Sequence, residues 1–157
     1  MTDQTWVRGQ ARTISFPLPG DCALRGASVR PFPRVWPEKS AGDALDYSVD
    51  YTAWLADCSD IISKIAIDDV SVAPASGLLI PWAVFIGGVV SIGLSGGLAG
   101  QKYKIRIIVT TVQGRTITGI FTLPVSTMAP TIAAASIATP DLTFPAGTIT
   151  INGTANA

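Results

Sequence analysis

Pairs of acidic residues come closest, in type and spacing, to side chains that could do chemistry. Asp46 and Asp50 lie four residues apart in a segment of alternating apolar and polar residues, which would place both carboxylates on one face of a β-strand. Two carboxylates can serve as general acid and general base only when they are close together. At this spacing they are held apart, and no histidine, lysine or second carboxylate cluster supports catalysis. We therefore interpret the pair as part of a solvated strand face.

A second acidic pair, Asp68-Asp69, raises the question of a calcium site. Calcium-binding loops present oxygen ligands at alternating positions of a short segment. The residues around this pair do not follow that pattern. We interpret Asp68 and Asp69 as a charged turn or the edge of a strand.

Histidine and cysteine usage excludes several classes of site. The chain has no histidine, which removes the Ser-His-Asp triad and most zinc sites. Its two cysteines, Cys22 and Cys58, cannot complete a tetrahedral zinc site by themselves. They are expected to be separate, partly buried thiols, with a disulfide as the alternative if the chain meets an oxidising compartment. The sequence thus predicts a protein with no catalytic residues, metal or cofactor.

Composition indicates one globular domain built from strands. The 157 residues suffice for one ordinary domain with extensions, and 48% of them are hydrophobic. Only 14% are charged and the formal net charge is zero, so we expect no nucleic-acid partner and no electrostatic attraction to a membrane. Glycine, proline and β-branched residues favour strands and turns over long helices. The N-terminus lacks the pattern of a secretory signal, so folding in the cytosol is expected.

Alternating segments predict the strands of that domain. Residues 103–110 and 115–123 alternate between apolar and polar side chains and flank the turn Gln113-Gly114. Residues 45–55 alternate in the same way, and a further strand or two is expected within residues 61–72. These segments favour an antiparallel arrangement.

The apolar stretch at residues 78–94 allows two interpretations. Its length is close to the lower limit of about 17 residues for a membrane-spanning helix. Pro81, several glycines and the lack of a flanking basic cluster argue against a span. Gly87-Gly88 fits a two-residue hairpin turn between short strands. We prefer the hairpin, with a membrane anchor at residues 78–94 as the alternative.

The two ends of the chain differ from its centre. Residues 1–33 combine prolines with scattered large apolar residues and are expected to form a docking arm. Residues 34–125 are expected to form the folded domain. Residues 126–157 are rich in alanine and threonine and are expected to pack on a neighbouring chain or to complete a sheet. The residues that we expect at interfaces are Trp6, Phe16, Phe32, Ile137, Leu142, Phe144, Ile149 and Ile151.

The glycine-rich stretch before residue 103 resembles a corner of immunoglobulin-like and fibronectin type III-like sandwiches. In those folds a tyrosine near the start of a late strand bonds its hydroxyl to the backbone of the corner. Leu98, Gly100 and Tyr103 stand where such a corner would need them. The resemblance implies an all-β fold, namely an immunoglobulin-like or fibronectin-III-like antiparallel β-sandwich with extended N- and C-terminal arms.

A longer series of motifs is similar to the small phage proteins called fibre-tail adaptors. In chain order the series comprises Trp36-Pro37, residues 43–51, Trp54-Leu55-Ala56, Leu94-Ser95-Gly96-Gly97 with Gly100-Gln101, Val109-Thr110-Thr111 with Gly114-Arg115-Thr116, and Phe121-Thr122-Leu123-Pro124. The match covers residues 36–125. It implies a non-enzymatic structural component of the virion that connects tail and fibre proteins. We expect assembly in the host cytoplasm and a homo-oligomer in the particle. The two terminal extensions and the apolar stretch at residues 78–94 depart from the family's shorter pattern.

Carbohydrate binding is the other function that the residues themselves suggest. Aromatic side chains offer stacking surfaces for sugars, and the candidates are Trp6, Trp36, Trp54, Trp82, Tyr47 and Tyr51. Most tryptophans in a small sandwich belong to its core, however. We therefore keep a sugar-binding module as the alternative to the adaptor.

Overall fold

The computed structural model describes residues 5–16, 34–57, 59–71, 77–127 and 148–149, and almost all of its regular structure is β. The strands are β1 (Thr13–Ser15), β2 (Arg34–Val35), β3 (Leu45–Asp50), β4 (Ile62–Asp69), β5 (Leu78–Ile86), β6 (Val89–Gly96), β7 (Lys102–Thr111), β8 (Thr116–Pro124) and β9 (Thr148–Ile149). A 3₁₀ turn spans Gln10–Arg12 and an α-helix, α1, spans Thr52–Asp57. The strands form one sheet in the order β1-β3-β6-β5-β9 and a second in the order β2-β8-β7-β4.

The hairpin of β7 and β8 confirms the alternation seen in the sequence. Tyr103, Ile105, Ile107 and Val109 are completely buried, while the residues between them are exposed or half-buried. The same alternation continues in β8 after a turn that contains Gly114, whose φ of +81° favours glycine. One face of this sheet therefore lies in the core and the other faces outwards.

The apolar stretch at residues 78–94 forms a hairpin of strands β5 and β6. Gly87 and Gly88 both have positive φ, 55° and 85°, which is the requirement of a type I′ turn. The predicted hairpin is therefore observed in place of the alternative membrane-spanning helix. Within the described ranges, no helix has the length and apolar character needed to cross a membrane.

The predicted strand at residues 45–55 is too long, because β3 ends at Asp50 and α1 follows. The partner strand β6 begins at Val89, opposite Asp50, so the ladder has no further residues to pair. The Oδ1 atom of Asp50 accepts hydrogen bonds from the backbone N–H and the hydroxyl of Thr52, at 2.9 and 2.5 Å. A helical turn replaces the strand, since an acidic side chain at this position satisfies a free N–H of the first turn.

The sheets are mixed, so the prediction of a purely antiparallel sandwich is wrong in part. Strand β1 pairs in parallel with β3, and β2 pairs in parallel with β8. Parallel neighbours require a long crossover connection. Between β1 and β3 the chain crosses to the other sheet, where it forms β2. Between β2 and β8 it forms five other strands, β3 to β7.

Side chains from both sheets form one continuous core. Trp36, which follows β2, packs against Tyr47 of the first sheet and Phe121 of the second, with ring centroids 5.4 and 5.1 Å apart. All three residues are almost fully buried. The aromatic cluster thus fixes the two sheets as the layers of a β-sandwich.

Candidate functional site

The N-terminal arm is attached to the first sheet by a charged contact. Arg12 donates from Nη2 to Oδ1 of Asp46 at 2.6 Å and from Nε to the Asp46 carbonyl at 2.6 Å. The backbone N–H of Gly9 donates to the other carboxylate oxygen, also at 2.6 Å. Charge-assisted bonds of this kind are stronger than neutral ones. The arm is therefore held in register beside β3, where β1 continues the sheet.

Asp46 does not lie on a solvated strand face, which corrects the interpretation drawn from the sequence. Its side chain is only 14% exposed because the arm covers it. Asp50, on the same face, bonds to Thr52 at the start of α1. Each carboxylate thus has its own structural partners, and the two do not form a catalytic pair.

Two tryptophans hold the start of the arm against the outer face of the first sheet. Trp82 of β5 lies across Gly93 of β6, its neighbour in the ladder. Trp6 packs edge-on against Trp82, with ring centroids 5.5 Å apart and planes at 81°. Glycine is needed at position 93 because a Cβ there would overlap the indole of Trp82.

Phe16, predicted from the sequence as an interface residue, packs against the core of its own chain. Its ring makes edge contacts with Tyr51 and Phe121, at centroid distances of 5.7 and 5.5 Å. The guanidinium group of Arg34 lies 5.5 Å from the centre of the same ring. Phe16 and Arg34, which are 18 positions apart in the chain, are therefore in contact on the sandwich.

The glycine-rich corner before β7 is closed by the hydroxyl of Tyr103. This oxygen accepts a hydrogen bond from the backbone N–H of Leu98 at 2.8 Å. Gly97 packs against the tyrosine ring, and Gly100 has a φ of +80°. Leu98, Gly100 and Tyr103 thus lie in the same corner of the chain.

A buried lysine ties the same corner to the start of the domain. Lys39 is 2% exposed, and its ammonium group donates to the carbonyl oxygens of Ser40, Asp43 and Gly96, at 2.9, 3.0 and 2.6 Å. Burial lowers the pKa of Lys39, and the nearby charge of Asp43 offsets part of that shift. Three carbonyls match the three donors of an ammonium group, so the lysine acts as a structural cross-link.

A groove opens at the opposite end of the sandwich, between α1 and the β5–β6 turn. Its volume is about 740 Å³. The lining is mostly apolar and consists of Thr52, Leu55, Ala56, Ser59, Asp60, Ile61, Ile62, Phe85, Ile86, Gly87 and Gly88. Ile61 on its rim is 66% exposed. The groove therefore presents a concave and mostly apolar surface at this end of the sandwich.

Asp60 at the edge of the groove is held by several donors. Arg115 donates to its Oδ2 at 2.8 Å, and the backbone N–H groups of Ile61 and Gln113 donate to its Oδ1 at 2.9 and 3.3 Å. Burial raises the pKa of Asp60, but hydrogen bonds, the largest contribution coming from Thr111, lower it below its usual range. The carboxylate therefore stays ionised and serves to anchor the turn.

The acidic pair Asp68-Asp69 lies at the end of β4, in agreement with the strand edge predicted. Asp68 forms a two-pronged ion pair with Arg106 across the ladder. Oδ1 of Asp69 accepts from the backbone N–H of Ser71 at 2.9 Å. Among the residues that the structure describes, no cluster of acidic or cysteine side chains could hold a metal ion.

Half of the aromatic residues that the sequence offers for sugar stacking are inaccessible. Trp36, Tyr47 and Tyr51 are all nearly or completely buried. Burial raises the pKa of Tyr47 to about 12, and it also raises the pKa of Tyr51. Of the remaining three, Trp6 and Trp82 flank a small groove of about 190 Å³ beside Asp46.

Several predicted residues lie outside the described part of the chain. They are Phe32, Ile137, Leu142, Phe144 and Ile151, together with the thiols of Cys22 and Cys58. Ile149 is described as a backbone position of β9, opposite Val84 of β5. Their roles at interfaces, and the question of a disulfide, stay predictions.

Sequence reasoning missed the residues that hold the arm and the corners. Arg12, Lys39 and Arg115 bond to partners that are distant in sequence. The separations are 34, 57 and 55 positions, respectively. The partners of Lys39 are backbone carbonyls, which leave no side-chain pattern in the sequence. A signal did exist for α1, since Asp50 precedes Thr52 by two residues, a spacing typical of a helix start.

Comparison with known proteins identifies a matching family. The family model described as "Podophage GP4 fiber-tail adaptor protein gp77" matches residues 39–124, which is more than half of the chain. The matched region begins at the buried Lys39 and ends at the last residue of β8. No curated protein matches the sequence.

Proposed function

The chain belongs to the podophage fiber-tail adaptor family, and from this premise we propose that it connects tail and fibre proteins in the virion without catalysing a reaction. The family match is the observation that carries the proposal. The protein would then act in the particle, after assembly in the host cytoplasm. Its partners would be tail and fibre proteins and further copies of itself.

The sandwich suits the role of a rigid spacer. Core side chains of both sheets interlock through Trp36, Tyr47 and Phe121, and Lys39 with Tyr103 ties down the corner. We assign the sandwich to the immunoglobulin-like class on the strength of that corner. A closely packed core resists deformation, which is what a connecting part of a particle needs.

The terminal arms are proposed to make the contacts with neighbouring proteins. Strands from both arms, β1 and β9, occupy the two edges of the first sheet, so the arms start from fixed positions. Beyond those positions lie apolar residues such as Phe32, Ile137 and Ile151. Burial of apolar side chains of this size by a partner contributes favourably to the free energy of binding.

Cross-linking mass spectrometry on purified phage particles tests this proposal. We expect several copies of the chain per particle. A carboxylate-reactive cross-linker should link Asp3, Asp21 or Asp141, in residues 1–33 and 126–157, to tail or fibre proteins. Absence of the chain from the particle would overturn the proposal. Links that arise only from the sandwich would overturn the role of the arms.

Point substitutions test the arms better than truncations, because removal of residues 1–33 would also remove β1 and Phe16. Phe32→Asp and Ile137→Asp should reduce incorporation into particles while the sandwich stays folded. Leu79→Asp is the matched control, since Leu79 lies in β5 of the sandwich, outside both arms, and is 61% exposed, so its replacement should leave incorporation unchanged.

Carbohydrate binding at Trp6 and Trp82 is the second candidate function. The small groove that these two rings line offers aromatic surface on which a sugar ring could stack. Titration with a broad panel of glycans should quench tryptophan fluorescence, and Trp82→Leu should abolish the change. A flat response across the panel would remove this candidate.

A further inference from the structure

The groove at the α1 end of the sandwich exposes apolar surface. Phe85 and Ile86 on its wall are half-buried, and Ile61 on its rim is 66% exposed. Val112, whose N–H bonds to the Ile61 carbonyl, is 63% exposed beside it. Exposed apolar residues that cluster around a concave surface usually mark a contact site.

Strand β9 begins beside the wall of this groove. Thr148 pairs with Phe85 and Ile149 with Val84, in antiparallel register. Strand β5 runs towards Ile86 and the Gly87-Gly88 turn, so antiparallel β9 begins at the groove end of β5 and runs away from it. Phe85, Ile86, Gly87 and Gly88 all line the groove.

From this geometry we propose that the groove is the docking site for residues 141–147 of the chain's own C-terminal extension. Leu142 and Phe144 would be the side chains that enter it. Phe144 precedes Thr148 by four residues, which span at most about 14 Å when extended. The length is short enough to keep Phe144 beside the groove and long enough to let its ring turn inwards.

The chemistry of the segment fits the groove. Residues 141–147 contain one charge, that of Asp141, at the end farther from β9. The groove wall is apolar near Phe85 and Ile86. Pro145 and Gly147 suit a turn between the docked side chains and the strand. A volume of about 740 Å³ accommodates a phenylalanine and a leucine together.

This docking would stabilise the sandwich of a single chain and goes beyond the proposed function. It gives Leu142 and Phe144 a partner within the chain in place of the neighbouring protein that the sequence alone suggested. Phe85 and Ile61 would lose their exposed apolar surface to these side chains, which favours the docked form.

Photo-cross-linking of the isolated full-length chain tests the proposal without relying on a destabilising substitution. A benzoylphenylalanine residue in place of Phe144 should cross-link to residues 55–62 or 85–88, and the product should have the mass of one chain. The same probe in place of Leu98, at the other end of β6, is the control and should give no link to the groove. A cross-linked dimer, or products that avoid the groove, would overturn the proposal.

Thermal unfolding supplies a second readout. Phe144→Asp should lower Tm by about 5 °C or more, because a charge cannot enter the apolar groove. Leu98→Asp is the control, since Leu98 is 49% exposed, and it should shift Tm much less. Ile86→Ala should lower Tm in the native chain but add little to the effect of Phe144→Asp, as expected for residues in contact. Fully additive shifts would contradict the docking.

Discussion

The ammonium group of Lys39 lies 2.6 Å from the carbonyl oxygen of Gly96, and the bond joins two residues 57 positions apart in the chain. Gly96 and Gly97 both have positive φ, 68° and 93°, and the N–H of Gly97 bonds to the carbonyl of Gly77. The backbone turns sharply here and exposes a carbonyl to the interior. The lysine satisfies that carbonyl together with those of Ser40 and Asp43.

Lys39→Met should therefore destabilise the protein, although methionine is also unbranched and is only one atom shorter. Three buried or half-buried carbonyls would lose their donor, and we expect the free energy of unfolding to fall by about 2–4 kcal/mol. Chemical denaturation measures the change. Lys104→Met is the control, because Lys104 is exposed and its replacement should cost at most about 0.5 kcal/mol. Equal effects of the two substitutions would refute the role given to Lys39.

Two tyrosines that are both completely buried should respond differently to loss of the hydroxyl. The hydroxyl of Tyr103 accepts from Leu98, whereas that of Tyr51 has no hydrogen-bond partner. Tyr103→Phe should cost about 1 kcal/mol of unfolding free energy, because the N–H of Leu98 loses its acceptor. Tyr51→Phe should be neutral or stabilising, since it removes an unsatisfied buried oxygen. Urea unfolding of the two variants measures both changes in unfolding free energy. A larger loss for Tyr51→Phe than for Tyr103→Phe would be incompatible with the observed hydrogen bonds.

Gly93→Ala should disturb the arm through Trp82. The added methyl group would overlap the indole ring, so Trp82 would have to move and would lose its edge contact with Trp6. We expect a cost of about 1–3 kcal/mol and loss of the near-ultraviolet circular dichroism that arises from the tryptophan pair. In a Trp82→Val background the same substitution should cost little. A cost that persists there would point to the backbone of β6 as its source.

The stability of the protein should depend on Asp60 in the acidic range. Its pKa in the folded state is lower than in the unfolded chain, where it is about 3.9. Its stabilising effect is therefore fully present above that value and is lost as the pH falls through the folded-state pKa. Denaturation of wild type and Asp60→Asn at several pH values measures this. The difference between the two proteins should be largest near neutral pH and should shrink in acid. A constant difference would show that Asp60 does not titrate as we infer.

The strands with strong local signals were predictable from the sequence. In β7 and β8, side-chain alternation and a glycine turn agree, so the inward face could be assigned residue by residue. The prediction for residues 45–55 was wrong at its end because alternation alone does not show where the partner strand begins. That limit is set by Val89, on a different segment of the chain.

The parallel edge strands and the arm contacts were not predictable in the same way. Strands β1 and β2 have three and two residues, too few for a recognisable period. Their register depends on contacts such as Arg12 with Asp46 and Trp36 with Phe121, which join distant parts of the chain. The candidate groove was missed for a related reason, since α1 and two separate turns create it only after folding.

The parallel pairing of β2 with β8 also determines the order in which the protein can fold during synthesis. Arg34 lies opposite Phe121 and Val35 opposite Thr122, so these early residues must wait until most of the chain has left the ribosome. Until then Trp36 has no second sheet to cover it. Contacts between residues so distant in sequence form slowly, and the intermediates expose apolar surface and are prone to aggregation. The nascent chain would therefore benefit from chaperones until the second sheet is complete.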